Sequence, residues 1–398
     1  MKRKILFVIN SLSIGGSEKS LVSLLSLMDL TKYSVDLLMF KKGGEFDKYI
    51  PQGINILEEP GYYQFLGQKE NKKTFPIKNK ITYRLCRVTT ALNLRLNYKK
   101  SHRISTEQVL YKSQKVALNT LQKEYDVAIA YSQGMPTYYV ADKVNAKKKI
   151  AWINCDYVNS LYDKDLDYQY YKKINEIVVV SKAIKDSIKR LRPEYEKKMN
   201  LILDIVNPDI IKKMARQETN VFSDKSVVNI LTVGRLIRHY KGYDTAIKAA
   251  KLLKDNNYKF KWYVVGEGPD RKEIEELINE NNIKEEFILL GKKENPYPYM
   301  KNCDLYVQPS KKEGFGLTVI EAKILKKPIV CTNFNTVNEL INNEIDGLVV
   351  GQSEEMLYLG IKRYLNDINF TNKVLKELSI KQPYSSVKEI EKVYELIS

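Results

Sequence analysis

Two glutamates that bracket a glycine turn form the clearest chemical signal in this 398-residue sequence. Glu313 and Glu321 enclose the run Gly-Phe-Gly-Leu-Thr-Val-Ile, which we expect to join the end of a strand to the start of a helix. Glycine lets the backbone approach a ligand closely, and the amides of residues 315–318 that open the helix favour an anion. Glu321 is placed to accept two hydrogen bonds from a vicinal diol such as ribose, each worth about 1.5–3 kcal/mol. Glu313 precedes the turn and is expected to point at whatever the turn holds.

A second cluster of candidate residues follows the apolar run 228–233. Gly234 and Arg235 come directly after this run, and Lys241 lies six residues beyond Arg235. A guanidinium and an ammonium at the carboxyl edge of a parallel sheet can converge on one anion. A diphosphate leaving group suits them, since they can stabilise its charge without a metal ion. The sequence has no cluster of carboxylates typical of a metal site, and we expect none.

The alternation of apolar runs with helical stripes indicates which elements position these residues. Strands are predicted at 4–9, 35–39, 127–131, 150–153 and 176–180, and then at 228–233, 261–266, 287–290, 305–308, 329–331 and 348–350. Helical segments between such strands are typical of parallel sheets. We therefore predict an α/β protein with two Rossmann-like, doubly wound domains that face each other across a cleft. Ligands of such sheets bind outside the carboxyl ends of the strands, so the cleft is the expected site.

The domain boundaries are predicted from a change in pattern. A polar, non-periodic passage from Asn207 to Lys225 is expected to be the linker. We assign residues 1–205 to a first domain and residues 206–380 to a second. Residues 381–398 are expected to form a helix that packs back toward the first domain.

Basic charge is concentrated in the first half of the chain. Residues 1–200 hold 36 Lys and Arg against 20 Asp and Glu, whereas residues 201–398 hold 30 against 28. The segment 69–123 alone has 14 basic and two acidic residues. No nucleic-acid reading motif accompanies it, so we expect no nucleic-acid partner.

One part of this basic segment has the pattern of an amphipathic helix. Apolar residues recur at helical spacing at Ile81, Leu85, Val88, Leu92 and Leu96. Nearby charge comes from Arg84, Arg87, Arg95, Lys99 and Lys100. This pattern predicts a membrane patch, because an anionic leaflet attracts each nearby basic residue by about 1 kcal/mol. The alternative is a core helix with solvated charges.

The overall composition excludes several classes of protein. With 43% apolar and 29% charged residues, the chain is neither disordered nor collagen-like. Its apolar runs fall short of the roughly 18 residues that span a bilayer. The four cysteines form no Cys-x-x-Cys pair, which favours a reducing cytoplasm.

In this order and at this separation, the motifs resemble the retaining glycosyltransferases of family 4, which have the GT-B fold. The resemblance covers most of the chain and extends to the turn at 15–18, the strand end at 178–182 and the turn at 266–269. Its most specific part is the pair Glu313 and Glu321, separated by seven residues with Gly-Phe-Gly after the first.

The resemblance implies that residues 1–205 form the acceptor domain and residues 206–380 the donor domain, and it implies a role for each motif. Arg235 and Lys241 would grip the diphosphate of a nucleotide sugar, Glu321 its ribose, and Glu313 the hydroxyls of the transferred sugar. The other donor contacts implied are Gly15, Gly16, Gly234, Phe315, Gly316, Leu317 and Thr318. The leaving diphosphate itself would help to deprotonate the acceptor, so that no covalent intermediate, metal or cofactor is needed and UDP is released.

The sequence departs from the family pattern at one position of interest. Many relatives carry a histidine that contacts the sugar where this chain has Asn154. An amide can bond a hydroxyl but cannot titrate near neutral pH. We retain Asn154 and the nearby Asp156 as candidate contacts to sugar or acceptor.

These implications together describe a cytoplasmic, metal-independent transferase of the hexosyltransferase type, peripheral at the inner face of the membrane. We expect a nucleotide-sugar donor, UDP rather than GDP, and a growing lipid-linked glycan of the cell surface, such as a capsule or wall polysaccharide. An anionic membrane surface is the expected partner. Two alternatives remain open: a non-catalytic GT-B-shaped partner subunit that binds glycan, with Asn154 as its clue, and a sugar-nucleotide epimerase, which needs more acid–base residues than we can place.

Overall fold

The computed structural model describes residues 2–67, 75–100, 103–217, 221, 222, 224, 226–380 and 385–398. Parts of three predicted segments therefore lie outside the described residues: 69–74 and 101–102 of the basic segment, 218–220, 223 and 225 of the linker, and 381–384 of the last segment. The chain divides into two compact units, the first comprising Met1–Ile205 with Val387–Ser398 and the second Val206–Ser386.

Unit 1 is built on one parallel sheet. Its strands are β1 (Arg3–Ile9), β2 (Tyr33–Met39), β3 (Asn55–Ile56), β4 (Leu121–Ala130), β5 (Val144–Ile153), β6 (Glu176–Val179) and β7 (Met199–Leu201). Its first seven helices are α1 (Gly16–Leu27), α2 (Gly61–Gly67), α3 (Ile77–Lys99), α4 (Thr106–Gln114), α5 (Met135–Lys143), α6 (Lys164–Tyr171) and α7 (Lys182–Leu191). In the described part of the sheet the strand order is β3-β2-β1-β4-β5-β6-β7. The central strands are apolar runs because helices cover both faces of such a sheet.

Unit 2 repeats this plan. Its strands are β8 (Val228–Val233), β9 (Phe260–Val265), β10 (Phe287–Gly291), β11 (Leu305–Gln308), β12 (Ile329–Thr332) and β13 (Leu348–Val350). Its helices are α8 (Pro208–Met214), α9 (Tyr243–Asp255), α10 (Arg271–Glu280), α11 (Tyr297–Asn302), α12 (Leu317–Ile324), α13 (Val337–Leu340), α14 (Glu354–Asn366) and α15 (Ile368–Ile380). The described strands lie in the order β10-β9-β8-β11-β12-β13, all parallel. The prediction of an α/β fold with two Rossmann-like sheets is confirmed.

The passage from Asn207 to Lys225 differs from the linker that the sequence suggested. It contains α8, whose first amides are capped by the Asn207 side chain, which accepts from the Asp209 amide at 3.0 Å. Ile211 is buried, and the carbonyl of Met214 accepts a hydrogen bond of 2.9 Å from the Asn295 amide. A seven-residue helix is too short to show a clear apolar stripe, which is why periodicity did not reveal it.

The last helix, α16 (Glu389–Ile397), belongs to unit 1. Tyr394 anchors it: the hydroxyl accepts from the Asp29 amide at 2.8 Å and donates to the Leu27 carbonyl at 2.9 Å. Its ring stacks on Tyr33, with the centroids 5.4 Å apart. Across the residues described, no helix combines the length and the apolar character needed to cross a membrane.

Candidate functional site

The candidate residues of unit 2 lie where its strand order reverses. The first strand of the unit, β8, has β9 on one side and β11 on the other, so the connections diverge at the carboxyl ends of β8 and β11. Such a switch point leaves a crevice in which ligands bind. The loop after β8 carries Gly234, Arg235 and Lys241, and the loop after β11 carries Glu313.

Lys241 and Glu313 form an ion pair at this switch point. The Lys241 Nζ atom lies 2.7 Å from Oε1 and 2.8 Å from Oε2 of Glu313. The side chains are 19% and 9% exposed, respectively. An ammonium group has three N–H donors, so Lys241 can hold Glu313 and still donate to an anion in the crevice.

Polar neighbours fix the Glu313 carboxylate. Its Oε1 atom also accepts hydrogen bonds from Gln308 Nε2 at 2.9 Å and from Ser310 Oγ at 2.6 Å. The Asn335 side chain accepts from the Glu313 amide at 3.0 Å and donates to the Glu313 carbonyl at 2.9 Å. With the backbone and Oε1 held in this way, Oε2 is the oxygen with the fewer protein contacts.

The β8 and β11 loops approach each other at Gly242. This residue has φ +69°, and a Cβ atom built on it would lie 1.8 Å from the carbonyl oxygen of Pro309. Next to this contact the Lys311 amide donates to the Tyr240 carbonyl at 3.0 Å. The close approach sets Lys241 beside Glu313.

The first turn of α12 opens beside Glu313. Gly316 caps the helix with φ +100°, so the amides of Leu317 and Thr318 begin a helix in the direction that favours an anion. The Thr318 hydroxyl donates to Gln308 Oε1 at 3.1 Å. Phe315, the residue before the cap, is buried.

Glu321 lies one turn further along α12 and is buried. Its Oε1 atom accepts a hydrogen bond of 3.0 Å from the hydroxyl of Tyr297, which begins α11. Tyr297 is itself buried. The tyrosine therefore orients the carboxylate that the sequence singled out.

The cations of the β8 loop have different surroundings. Arg238 and His239 both contact Asp244, at 2.5 Å from Nε and 2.7 Å from Nδ1, respectively. Arg235 is exposed, and within the described residues it makes no ion pair. Arg235, which the sequence analysis selected, is thus not paired with Asp244 as its neighbours Arg238 and His239 are.

In unit 1 the candidate residues follow β1 and β5. Gly15 precedes the first residue of α1, Gly16. Asn154 donates from Nδ2 to the Tyr131 carbonyl at 2.7 Å, and its amide donates to Gln133 Oε1 at 3.1 Å. Its Oδ1 atom is buried and has no hydrogen-bond partner among the residues described. Asn154 can therefore accept a hydrogen bond from a hydroxyl through Oδ1, while one of its two Nδ2 donors is already engaged.

Asp156 is buried and shapes the local turn instead of pointing outward. Its Oδ2 atom accepts from Asn159 Nδ2 at 2.9 Å. Nearby, Glu107 of α4 accepts from the Met135 amide at 2.8 Å and from Asn10 Nδ2 at 3.3 Å. Burial raises the pKa of Glu107 despite these hydrogen bonds.

Several of these polar residues escaped the sequence analysis. Gln308 ends the predicted strand and Ser310 lies between that strand and Glu313, so their position at a strand end was a usable signal. Asn335 follows a neighbouring strand and Tyr297 begins a short helix, and neither carries a local signal.

The predicted membrane patch lies on α3 and just beyond it. Its five basic residues are exposed, namely Arg84, Arg87, Arg95, Lys99 and Lys100. In the described parts of the chain, no group of three or more His, Cys, Asp or Glu side chains is arranged to hold a metal ion.

Comparison with known proteins finds similarity to glycosyltransferases. Residues 213–377 match the family model of glycosyl transferases group 1. The chain is 31% identical over 211 residues to the N-acetylgalactosamine-N,N'-diacetylbacillosaminyl-diphospho-undecaprenol 4-alpha-N-acetylgalactosaminyltransferase of Campylobacter jejuni, covering 52% of this chain and 56% of that protein. Three curated relatives are matched over 50%, 56% and 61% of their own length.

Two solved structures are similar over nearly the whole chain. Anabaena Alr3699/HepE in complex with UDP and glucose has a TM-score of 0.70 over 99% of both chains, at 15% identity. A variant of S. aureus TarM with fondaparinux, alpha-GlcNAc-glycerol and UDP has a TM-score of 0.65 over 100% of both chains, also at 15% identity. At such identities the likeness shows the fold, which is the GT-B fold of glycosyltransferases.

Proposed function

Since residues 213–377 match the family model of glycosyl transferases group 1, we propose that this chain transfers a sugar from a nucleotide sugar to a growing, lipid-linked glycan. We propose a UDP-sugar as donor and retention of the anomeric configuration. One observation carries the proposal: the Lys241–Glu313 pair and the start of α12 lie together at the switch point of the unit 2 sheet.

The cations and the helix start are suited to the donor diphosphate. Arg235 and Lys241 supply charge, and the amides at 315–317 supply hydrogen bonds at a helix N-terminus. Groups that are already in place need no reorganisation when the leaving group gains charge. Glu313 is then available through Oε2 to accept a hydroxyl of the transferred sugar.

The reaction that fits these groups is a front-face displacement. The bond from the anomeric carbon to the diphosphate oxygen breaks as the acceptor oxygen bonds to the same face of the carbon. The acceptor proton passes to the departing diphosphate. The chain's contribution is to hold the diphosphate and orient the sugar.

Glu321 is proposed to bind the ribose diol, and Tyr297 to position it. Removing the hydroxyl in Tyr297→Phe takes away one hydrogen bond to a charged group, worth about 1.5 kcal/mol. We expect the donor KM to rise about tenfold while kcat changes less than about twofold, since the loss falls on binding.

Steady-state kinetics with a UDP-sugar and its 2′-deoxyribose analogue test this role. The Tyr297→Phe effect should shrink with the deoxy donor, which lacks one of the two hydroxyls. Tyr299→Phe is the matched control, because it removes a hydroxyl from another tyrosine of α11, whose ring packs on Phe222. Equal effects of the two variants would contradict a positioning role for Tyr297.

Two observations support a lipid-linked acceptor, namely the positive charge of unit 1 and the similarity to a relative with such an acceptor. Unit 1 contains most of the basic excess of the chain, where this fold usually holds the acceptor. The relative from Campylobacter jejuni is named for a diphospho-undecaprenol acceptor. We propose that the chain works at an anionic membrane surface facing the cytoplasm.

A non-catalytic partner subunit is the second candidate, and Asn154 favours it. The amide replaces the titratable group of many relatives, and its Nδ2 atom is already bonded to the Tyr131 carbonyl. The Lys241–Glu313 pair favours the transferase, since a binding subunit has no need of a charged crevice at this sheet edge.

A donor screen decides between these candidates. The purified chain is incubated with a panel of UDP- and GDP-sugars, and nucleotide release and binding are measured for it and for Glu321→Ala. We expect one UDP-sugar to bind and hydrolyse slowly, with affinity about 10- to 100-fold lower in the variant, which loses charged hydrogen bonds to ribose. If no nucleotide sugar binds, the transferase proposal fails and the partner subunit is favoured.

A further inference from the structure

Helix α3 has two opposite faces, one buried and one exposed. On one face Tyr83, Cys86 and Thr90 are buried in unit 1. The Tyr83 ring contacts the rings of Tyr62 and Phe75, with centroids 5.6 Å away in each case. This inner face is what attaches the helix to the unit.

The other face carries the apolar residues that the sequence singled out. We call Ile81, Leu85, Val88, Leu92 and Leu96 the outer stripe, and these side chains are between 51% and 66% exposed. At 100° per residue they occupy an arc of about 80°, centred about 150° from the inner face. The core-helix alternative is therefore wrong: the apolar pattern does not face the core of unit 1.

Large apolar side chains exposed in a row mark a docking surface, unlike apolar residues scattered singly. The outer stripe runs for about 23 Å along the helix axis. Nothing among the described residues covers it, since all five side chains stay exposed.

The charge beside the stripe has one sign. The helix Ile77–Lys99 contains six basic residues and no acidic one. Arg84, Arg87 and Arg95 lie on one side of the outer stripe. Lys99 follows the stripe at the carboxyl end of the helix. Within the described part of the chain, none of these four forms an ion pair.

Charge decides which occupant suits this surface. The spacing of the stripe would allow α3 to pair with α3 of a second copy, but two such helices bring only positive charge to the contact. A leaflet with anionic lipids offers an apolar layer for the stripe and phosphates for the basic edge at once.

We propose that α3 lies flat in the interface of an anionic bilayer, with the outer stripe in the acyl boundary and the arginines at the phosphates. This proposal rests on the proposed function and deepens it, because an enzyme with a lipid-linked acceptor has to work at a membrane surface. Insertion of the stripe predicts that part of the binding survives high salt, because salt screens only the electrostatic part.

Vesicle flotation tests the proposal without donor or acceptor. The probes are vesicles of phosphatidylcholine alone and of phosphatidylcholine with phosphatidylglycerol, at low and high salt. We compare the native chain with Leu85→Gln/Leu92→Gln and with Arg84→Gln/Arg87→Gln/Arg95→Gln. The matched control is Val116→Gln/Leu161→Gln, which removes two exposed apolar side chains of unit 1 outside the stripe.

We expect the native chain to bind anionic vesicles and the stripe variant to bind at least about tenfold more weakly at both salt concentrations. The arginine variant should lose binding mainly at low salt, and the control should match the native chain. The proposal is overturned if the native chain does not bind anionic vesicles, or if the stripe variant binds as well as the control.

Two further measurements separate the remaining outcomes. Sedimentation without lipid would detect a dimer. If the stripe variant disrupts such a dimer, the surface binds a second copy and the bilayer proposal is overturned.

In Leu85→Trp, the fluorescence of the new tryptophan should shift to the blue and be quenched by brominated lipid when vesicles are added. The native tryptophans, Trp152 and Trp262, are buried and should contribute little to this change. Binding of UDP-sugars by the same variants without vesicles reports on the transfer site, so failure here leaves the proposed reaction standing.

Discussion

Lys241→Met is expected to lower kcat/KM by about 100- to 1000-fold, as removal of one preorganised charge-stabilising donor does in other enzymes. The same change removes the cation from Glu313, whose side chain is only 9% exposed. We expect a loss of about 2–3 kcal/mol in the free energy of unfolding. This is below the ~3–5 kcal/mol of a fully buried pair, because Lys241 is partly exposed and other donors still hold Glu313. Donor kinetics and thermal unfolding measure the two effects.

A double variant separates stability from catalysis. Lys241→Met/Glu313→Gln removes both charges, so it should be more stable than Lys241→Met alone. Its activity should stay as low as that of either single variant, because neither the diphosphate nor the sugar hydroxyl regains its contact. Recovery of activity together with stability would mean that the pair serves only the fold of unit 2.

Gly242→Ala is expected to destabilise unit 2 by about 3 kcal/mol. Roughly 1–2 kcal/mol comes from placing a Cβ on a left-handed residue. The rest comes from moving the Pro309 carbonyl, which a Cβ would meet at 1.8 Å and whose displacement costs about 1–3 kcal/mol, as overpacking does. Donor binding should fall as well, because this contact sets Lys241 beside Glu313.

Gly234→Ala is the matched control for the stability part of this prediction. A Cβ there would lie 3.4 Å from the Tyr243 hydroxyl, at ordinary contact distance. Unfolding is followed by the fluorescence of Trp262 in a Trp152→Phe background, so that the signal comes from unit 2. If both alanine variants unfold alike, the loop contact at Gly242 does not hold the site.

The elements on both sides of the glycine turn could be predicted from the sequence. The helix expected to open after the turn begins at Leu317, and the strand before it ends at Gln308. Glycine conformation, strand runs and helix starts depend on neighbours in the chain, so a local pattern is enough to predict them.

The Lys241–Glu313 contact shows where such reasoning ends. The sequence placed both residues at the carboxyl edge of one sheet, and it expected Lys241 to meet an anion together with Arg235. The structure pairs Lys241 with a carboxylate 72 residues away, because the strand order brings β8 and β11 side by side. The Tyr297–Glu321 contact joins α11 to α12, between residues 24 positions apart in the chain.

The order of residues by itself determined the strands, the helix starts and the carboxylate and cation types available to the site, since these follow from local backbone preferences and side-chain chemistry. Only the tertiary structure decided which groups touch, that Asn154 donates to the Tyr131 carbonyl, and that the apolar residues of α3 face outward. A helical stripe records that one face is apolar, but not which face the rest of the molecule covers. That choice is made by long-range packing, here by the rings around Tyr83.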